Sequence, residues 1–130
     1  MAKRKKTPKK ILIVEDESML QNLYAEKFRQ AGYRVITVTE AKTGLEIAKK
    51  EKPDIVLLDI LLPEESGLYF LENIKKEKSG KVASAAVIVF SNFDEPKTRE
   101  KAKALGAEAY LIKTNHTPQQ LVKMVKGYVK

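Results

Sequence analysis

Five short apolar runs set the limits on how this chain can fold. They are Ile11–Val14, Val35–Val38, Ile55–Leu58, Ala86–Phe90 and Ala109–Ile112. Each is continuous rather than alternating, and most are rich in β-branched residues. That pattern fits strands covered on both faces, as in a parallel sheet packed between helices. The segments between them have helical periodicity. The first, about Ser18–Ala31, aligns Leu20, Leu23, Tyr24, Lys27 and Phe28, and Gly32 ends it. The second, about Ala41–Lys50, stops before Pro53. In the third, Ser66 is the N-cap and Leu68, Leu71 and Ile74 point inward. For the fourth we expect Asp94 as N-cap, Pro96 in the first turn and Gly106 just past the end. The fifth opens on Thr117-Pro118 and turns Leu121, Met124, Val125 and Tyr128 to one side. Ser79–Ser84 reads as a polar connector. Five alternating β and α units imply an α/β fold, a doubly wound (βα)5 parallel sheet of five strands with helices on both faces.

The 130 residues suffice for one domain with a substantial core. Without cysteine there is neither a disulfide framework nor a thiolate metal site. No apolar run approaches the roughly 20 residues of a membrane-spanning helix. The stretch behind the basic start, Ile11–Val14, is too short for a signal peptide. A cytoplasmic protein without membrane contact is therefore expected. The net charge of +8 is concentrated at one end. Six of the 25 basic residues, Lys3, Arg4, Lys5, Lys6, Lys9 and Lys10, lie in the first ten, leaving 19 against 17 acids. The division expected is a basic tail over residues 1–9 and one domain over 10–130. Such a tail reads as a solubilising leader; contact with nucleic acid through it is the alternative. No helix-turn-helix or aromatic platform supports sequence recognition.

Four of the runs end in polar side chains: Glu15-Asp16, Asp59, Ser91 and Lys113. Strand ends of open α/β sheets are where such folds place their chemistry. Three carboxylates on one rim favour a bound cation, and hard oxygen donors without His or Cys favour Mg²⁺. A carboxylate beside that ion can attack phosphorus and form an aspartyl-phosphate. The Lys113 ammonium and Ser91 hydroxyl suit the phosphoryl oxygens.

Taken in order, Ile11-Leu12-Ile13-Val14-Glu15-Asp16-Glu17, Asp59 with Pro63 and Gly67, Ser91 and Lys113 resemble the receiver domain of two-component response regulators. The resemblance covers about residues 9–130 and implies the flavodoxin-like strand order 2-1-3-4-5. It implies that Asp59 accepts a phosphoryl group from a phosphohistidine on a sensor histidine kinase or histidine phosphotransfer protein. It implies that Asp16 and Asp59 bind Mg²⁺ directly, that Glu15 acts through a water, and that the Leu61 carbonyl is a further ligand. Ser91 and Lys113 then contact the phosphoryl group, and Tyr110 is the switch aromatic of a surface formed by the fourth helix, fifth strand and fifth helix. Its output would be a downstream protein partner, from a stand-alone module with no output domain and no turnover activity. The charged fourth-helix face, with Lys97, Arg99, Glu100 and Lys103, suits a monomer or a phosphorylation-dependent dimer.

Leu61 and Phe93, each two residues beyond a site residue, are expected at the mouth of the site, hindering water. Leu20, Leu23, Tyr24 and Lys27 are candidates for partner docking. A hydrolase of the aspartyl-phosphate class generally needs a second aspartate where this chain has Leu61. Two positions depart from the family. Thr114 replaces the usual proline after the lysine, which sits on a cis bond; cis before a non-proline costs roughly 2.5–4 kcal/mol. We therefore expect a trans bond with a shifted Lys113 loop, or a strained cis one. The loop Pro63-Glu64-Glu65-Ser66-Gly67 replaces a more familiar Asp-Gly ending, and Ser66 is expected to cap the helix regardless. The one histidine, His116, carries no assigned role.

Overall fold

Apolar runs this short can bury both faces only by lying side by side, and they do. The computed structural model describes residues 8–77 and 80–128, except the side chains of 81 and 83. Most of the expected basic tail, residues 1–7, lies outside the described residues. The strands are β1 (Lys10–Val14), β2 (Arg34–Val38), β3 (Ile55–Leu58), β4 (Ala86–Ser91) and β5 (Ala109–Ile112). All pairs are parallel, in the order β2-β1-β3-β4-β5. The helices are α1 (Ser18–Gln30), α2 (Ala41–Glu51), α3 (Gly67–Ile74), α4 (Pro96–Ala104) and α5 (Pro118–Lys126).

Alternate residues of the central strands feed two cores. Ile11, Ile13, Ile55, Leu57, Ile88 and Phe90 pack with Tyr24 and Phe28 of α1 and Leu121 and Val125 of α5. Leu12, Val14, Val56, Leu58, Val87 and Val89 pack with Leu45 of α2, Phe70 and Leu71 of α3 and Ala102 of α4. Each large apolar side chain so buried contributes about 1.5–3 kcal/mol. The edge strands β2 and β5 are only partly covered, which explains their weaker apolar character.

The helix ends decide where the loops of the rim begin. Ser66 Oγ accepts the Leu68 N–H at 3.1 Å, as expected. Thr117 and Gln120 form a reciprocal capping box at α5. Gly32 and Gly106 end α1 and α4 at φ +95° and +101°, where a side chain is disfavoured. The expected cap at Asp94 is not formed. The N-cap of α4 is Glu95 without a side-chain bond, and Asp94 instead accepts from Arg99 Nε at 2.5 Å. The guanidinium outcompetes the helix amides because it brings a full charge. The polar connector contains a short helical turn, Gly80–Ala83, which Val82 anchors to the core. Glu64 has a left-handed backbone, φ 68°, so the altered loop after Asp59 does carry a local conformational cost.

Candidate functional site

The ladders lead directly into the polar rim. β1 and β3 are in register to Val14 and Leu58, and β4 and β5 to Ser91 and Ile112. The next backbone bonds, Glu15 N–H to Val38 O at 3.0 Å and Asp59 N–H to Val14 O at 3.1 Å, extend the sheet to the acids. Four strand ends thus place Glu15, Asp59, Ser91 and Lys113 together. Gln21, which sequence patterning did not single out, closes the β1–β2 end: its Nε2 donates to Glu15 O and Val38 O, both at 2.9 Å.

Asp59 is the centre of the arrangement. Its Oδ1 accepts from Ser91 Oγ at 2.6 Å and from the Leu61 N–H at 3.1 Å, while Oδ2 accepts from Lys113 Nζ at 2.7 Å. The same ammonium donates to Glu15 Oε1. Glu15 Oε2 accepts the Glu17 N–H at 3.1 Å. Glu15, Asp59 and Ser91 are buried, whereas Asp16 is exposed at the entrance. Burial raises the Glu15 pKa, with the Lys113 ammonium opposing the shift. Burial also works against the Lys113 charge, but its bonds to Asp59 and Glu15 prevail and hold its pKa above the usual lysine value. With Thr114 in place of proline, the Lys113–Thr114 peptide is trans, and Lys113 begins a short 3-10 turn.

Glu15, Asp16 and Asp59 each bring a carboxylate oxygen within 4.8 Å of the others. Three ionised carboxylates and one ammonium leave a formal charge of −2, and the ligands are all hard oxygens. This donor set fits a divalent cation such as Mg²⁺. Gly67 lies so close to the end of β3 that an added Cβ would stand 2.1 Å from Asp59 O.

From Asp59 a bonded path runs to the fourth helix. The Phe93 N–H donates to Ser91 Oγ at 3.2 Å, and the Phe93 carbonyl accepts from the Tyr110 hydroxyl. The Tyr110 ring lies under the Arg99 guanidinium, 5.0 Å from its centroid. Burial raises the Tyr110 pKa, with Arg99 opposing it. The contact of Arg99 with Tyr110 is legible only once the fold brings α4 over β5. Phe93 is half-buried beside this path and Leu61 is exposed.

The docking residues divide. Tyr24 is 6% exposed and stacks edge-on against Phe90 at 5.2 Å, so it belongs to the core. The apolar periodicity of α1 cannot distinguish its inward stripe from a shoulder of that stripe. Leu20 and Lys27 are half-buried, and Leu23 is 43% exposed. Met19, four residues before Leu23 on the same side, is 84% exposed and was not singled out in the sequence. No described helix is long and apolar enough to cross a membrane.

Residues 11–126 match the family model described as response regulator receiver domain. The polar-differentiation response regulator DivK of Brucella anthropi is 30% identical over 122 residues, 94% of this chain and 97% of that protein. The transcriptional regulatory protein PdtaR of Mycobacterium tuberculosis is 30% identical over 107 residues, 82% of this chain but 50% of its own length. A CheY-like receiver domain protein from Methanospirillum hungatei superposes with a TM-score of 0.85 at 26% identity, covering 93% of each chain. The chemotaxis protein CheY4 of Vibrio cholerae gives 0.85 at 22% identity over 95% of this chain and 100% of its own, a likeness of fold.

Proposed function

The chain belongs to the response regulator receiver domain family, and we propose that Asp59 accepts a phosphoryl group from a phosphohistidine on a sensor histidine kinase or histidine phosphotransfer protein. The observation that carries this reading is the Asp59 carboxylate, buried and held at both oxygens by Ser91, Leu61 and Lys113. An Asp59 oxygen attacks phosphorus, the new P–O bond forms as the P–N bond breaks, and the departing imidazole takes a proton from solvent. Lys113 and Ser91, now on the Asp59 oxygens, have donors suited to the phosphoryl oxygens that arrive there. A Mg²⁺ ion bound at the acid cluster would offset the charge of the transferring group. Asp16 and Asp59 would be its direct carboxylate ligands, Glu15 would act through a water, and the Leu61 carbonyl would complete the protein's share.

Phosphorylation draws Ser91 toward the new charge and pulls on the Phe93–Tyr110 connection. That biases the surface of α4, β5 and α5 toward a second arrangement read by a downstream protein. Leu61 and Phe93 flank the mouth and exclude water, which prolongs the phosphorylated state. Partner docking uses the outward side of α1, with Leu20, Leu23 and Lys27 joined by Met19. The proposed activity is that of a signalling switch rather than a turnover enzyme.

Incubation with Mg²⁺ and a small phosphodonor, or with beryllofluoride, tests the assignment. The expected product is one adduct per chain, absent in Asp59→Ala and without Mg²⁺. An adduct that survives Asp59→Ala, or none in the parent, overturns it.

A further inference from the structure

The loop that carries Lys113 is anchored by a side chain outside the phosphoryl site. β4 and β5 remain paired to Ser91 and Ile112, after which the two chains depart toward different helices. Past that pair, the Thr114 N–H donates to Asn92 Oδ1 at 3.1 Å. The Asn92 carboxamide thereby continues the β4–β5 connection where the backbone ladder has ended. The bond joins residues directly adjacent to two Asp59 partners. Asn92 follows Ser91, whose hydroxyl is 2.6 Å from Asp59, and Thr114 follows Lys113, whose ammonium is 2.7 Å away. Proline, usual in the resembling family at position 114, has no N–H to give. The tie is therefore available to this chain because of its departure from that pattern.

We infer that Asn92 is a positioning residue: through the Thr114 amide it holds the Lys113 turn against the Ser91 loop, fixing the two phosphoryl contacts relative to each other. This rests on the phosphoacceptor reading of Asp59. The alternative role, a general stabiliser of the domain, differs in what it predicts. Thr114 and Asn92 are exposed, so loss of the bond returns both groups to water and leaves the core intact. The effect belongs to the turn. Its neighbouring bond, His116 N–H to Lys113 O at 3.3 Å, reports on the same turn.

The test compares the parent with Asn92→Ala, Asn92→Asp, Thr114→Pro and the double variant Asn92→Ala/Thr114→Pro. Beryllofluoride affinity is measured in saturating Mg²⁺, and amide hydrogen exchange is measured without ligand. Loss of one hydrogen bond should weaken beryllofluoride binding about two- to ten-fold in Asn92→Ala. Exchange should quicken at Thr114 and His116 and remain parental in the central strands. Asn92→Asp keeps an oxygen acceptor and should restore protection of Thr114. Asn92→Ala should have no additional effect beside Thr114→Pro, which has removed the donor. Parental exchange at Thr114 and His116 in Asn92→Ala overturns the inference, as does an equal loss of beryllofluoride affinity with Thr114 or Pro at 114. A parent that binds no beryllofluoride refutes the phosphoacceptor reading instead, and the exchange rates then still decide whether Asn92 holds the turn.

Discussion

Replacing Gly67 with alanine should damage both the stability of the domain and the chemistry of its site. The new Cβ would stand 2.1 Å from Asp59 O and 3.0 Å from both Asp59 C and the Ile60 Cα. Ordinary contact begins at 3.4 Å, so about 1.3 Å of separation must be found. Every obstacle is backbone, and no side chain can rotate away. The start of α3 must move off the end of β3, straining the Gly67 N–H bond to Ile60 O at 2.9 Å. Overpacking of this kind costs about 1–3 kcal/mol, and the weakened bond adds about 1 kcal/mol. A total near 3 kcal/mol should lower the urea midpoint by about 1–3 M at an unchanged slope. Because the obstacle is the carbonyl of Asp59 itself, beryllofluoride binding should fall as well. Gly44→Ala is the matched control. Its Cβ would meet side-chain carbons of Val38, Val14 and Phe70 at 3.2–3.4 Å, which can yield. Alanine also favours the helix by about 1 kcal/mol, so little net change is expected. The reasoning fails if Gly67→Ala unfolds within about 0.5 kcal/mol of the parent, or if both alanines cost the same.

Lys113→Met should cost about 3 kcal/mol in a chelator, because it leaves the buried Glu15 and Asp59 carboxylates unpaired, and much less in Mg²⁺; equal losses in both buffers refute this. The folded pKa of Lys113 is raised, so its contribution is complete below the unfolded value and is lost as pH rises through the folded one, above about 10.5. The parent should therefore lose more stability in that alkaline window than Lys113→Met, the buried tyrosines being common to both, as followed by the difference between their denaturant midpoints against pH. Glu64→Gly should stabilise by about 0.5 kcal/mol, since the left-handed backbone costs about 1–2 kcal/mol and the freer unfolded chain returns part of it; thermal melting decides the sign. Replacing Leu61 and Phe93 together with serine should shorten the life of the phosphorylated state, and an unchanged half-life removes their proposed role in excluding water.

Much of this was legible because burial leaves a strong mark on short strands. The central strands had to be continuous and apolar, so their limits could be read to within a residue: β3 is Ile55–Leu58, as expected, and β1 gains only Lys10. The polar residues that interrupt these runs were conspicuous for the same reason. Errors arose where two local partners compete for one group. Asp94 has the chemistry of an N-cap, yet Arg99 reaches it first. Tyr24 lies on a helical stripe that continues from core to surface, and the packing of Phe90 decides which side it takes. The helical turn at Gly80–Ala83 carries the buried Val82 within a largely polar stretch, too little for periodicity to register.

What the sequence determined alone was the alternation of elements and the identity of the groups at the rim. Both are local: a strand buried on two faces must be apolar, and a charge can appear only where it ends. What the tertiary structure decided was the distances between groups far apart in the chain. Register places Lys113 on Asp59 and Glu15, residues 54 and 98 positions away. The spread of α4 over β5 sets Arg99 on Tyr110, and the parting of β4 from β5 leaves Asn92 to catch the Thr114 amide. The last two contacts have no signature in spacing or composition, and for Lys113 the run ends showed the neighbourhood but not the bonds. They follow from the strand order and the close packing of the whole sheet, which bring together groups that the chain keeps apart.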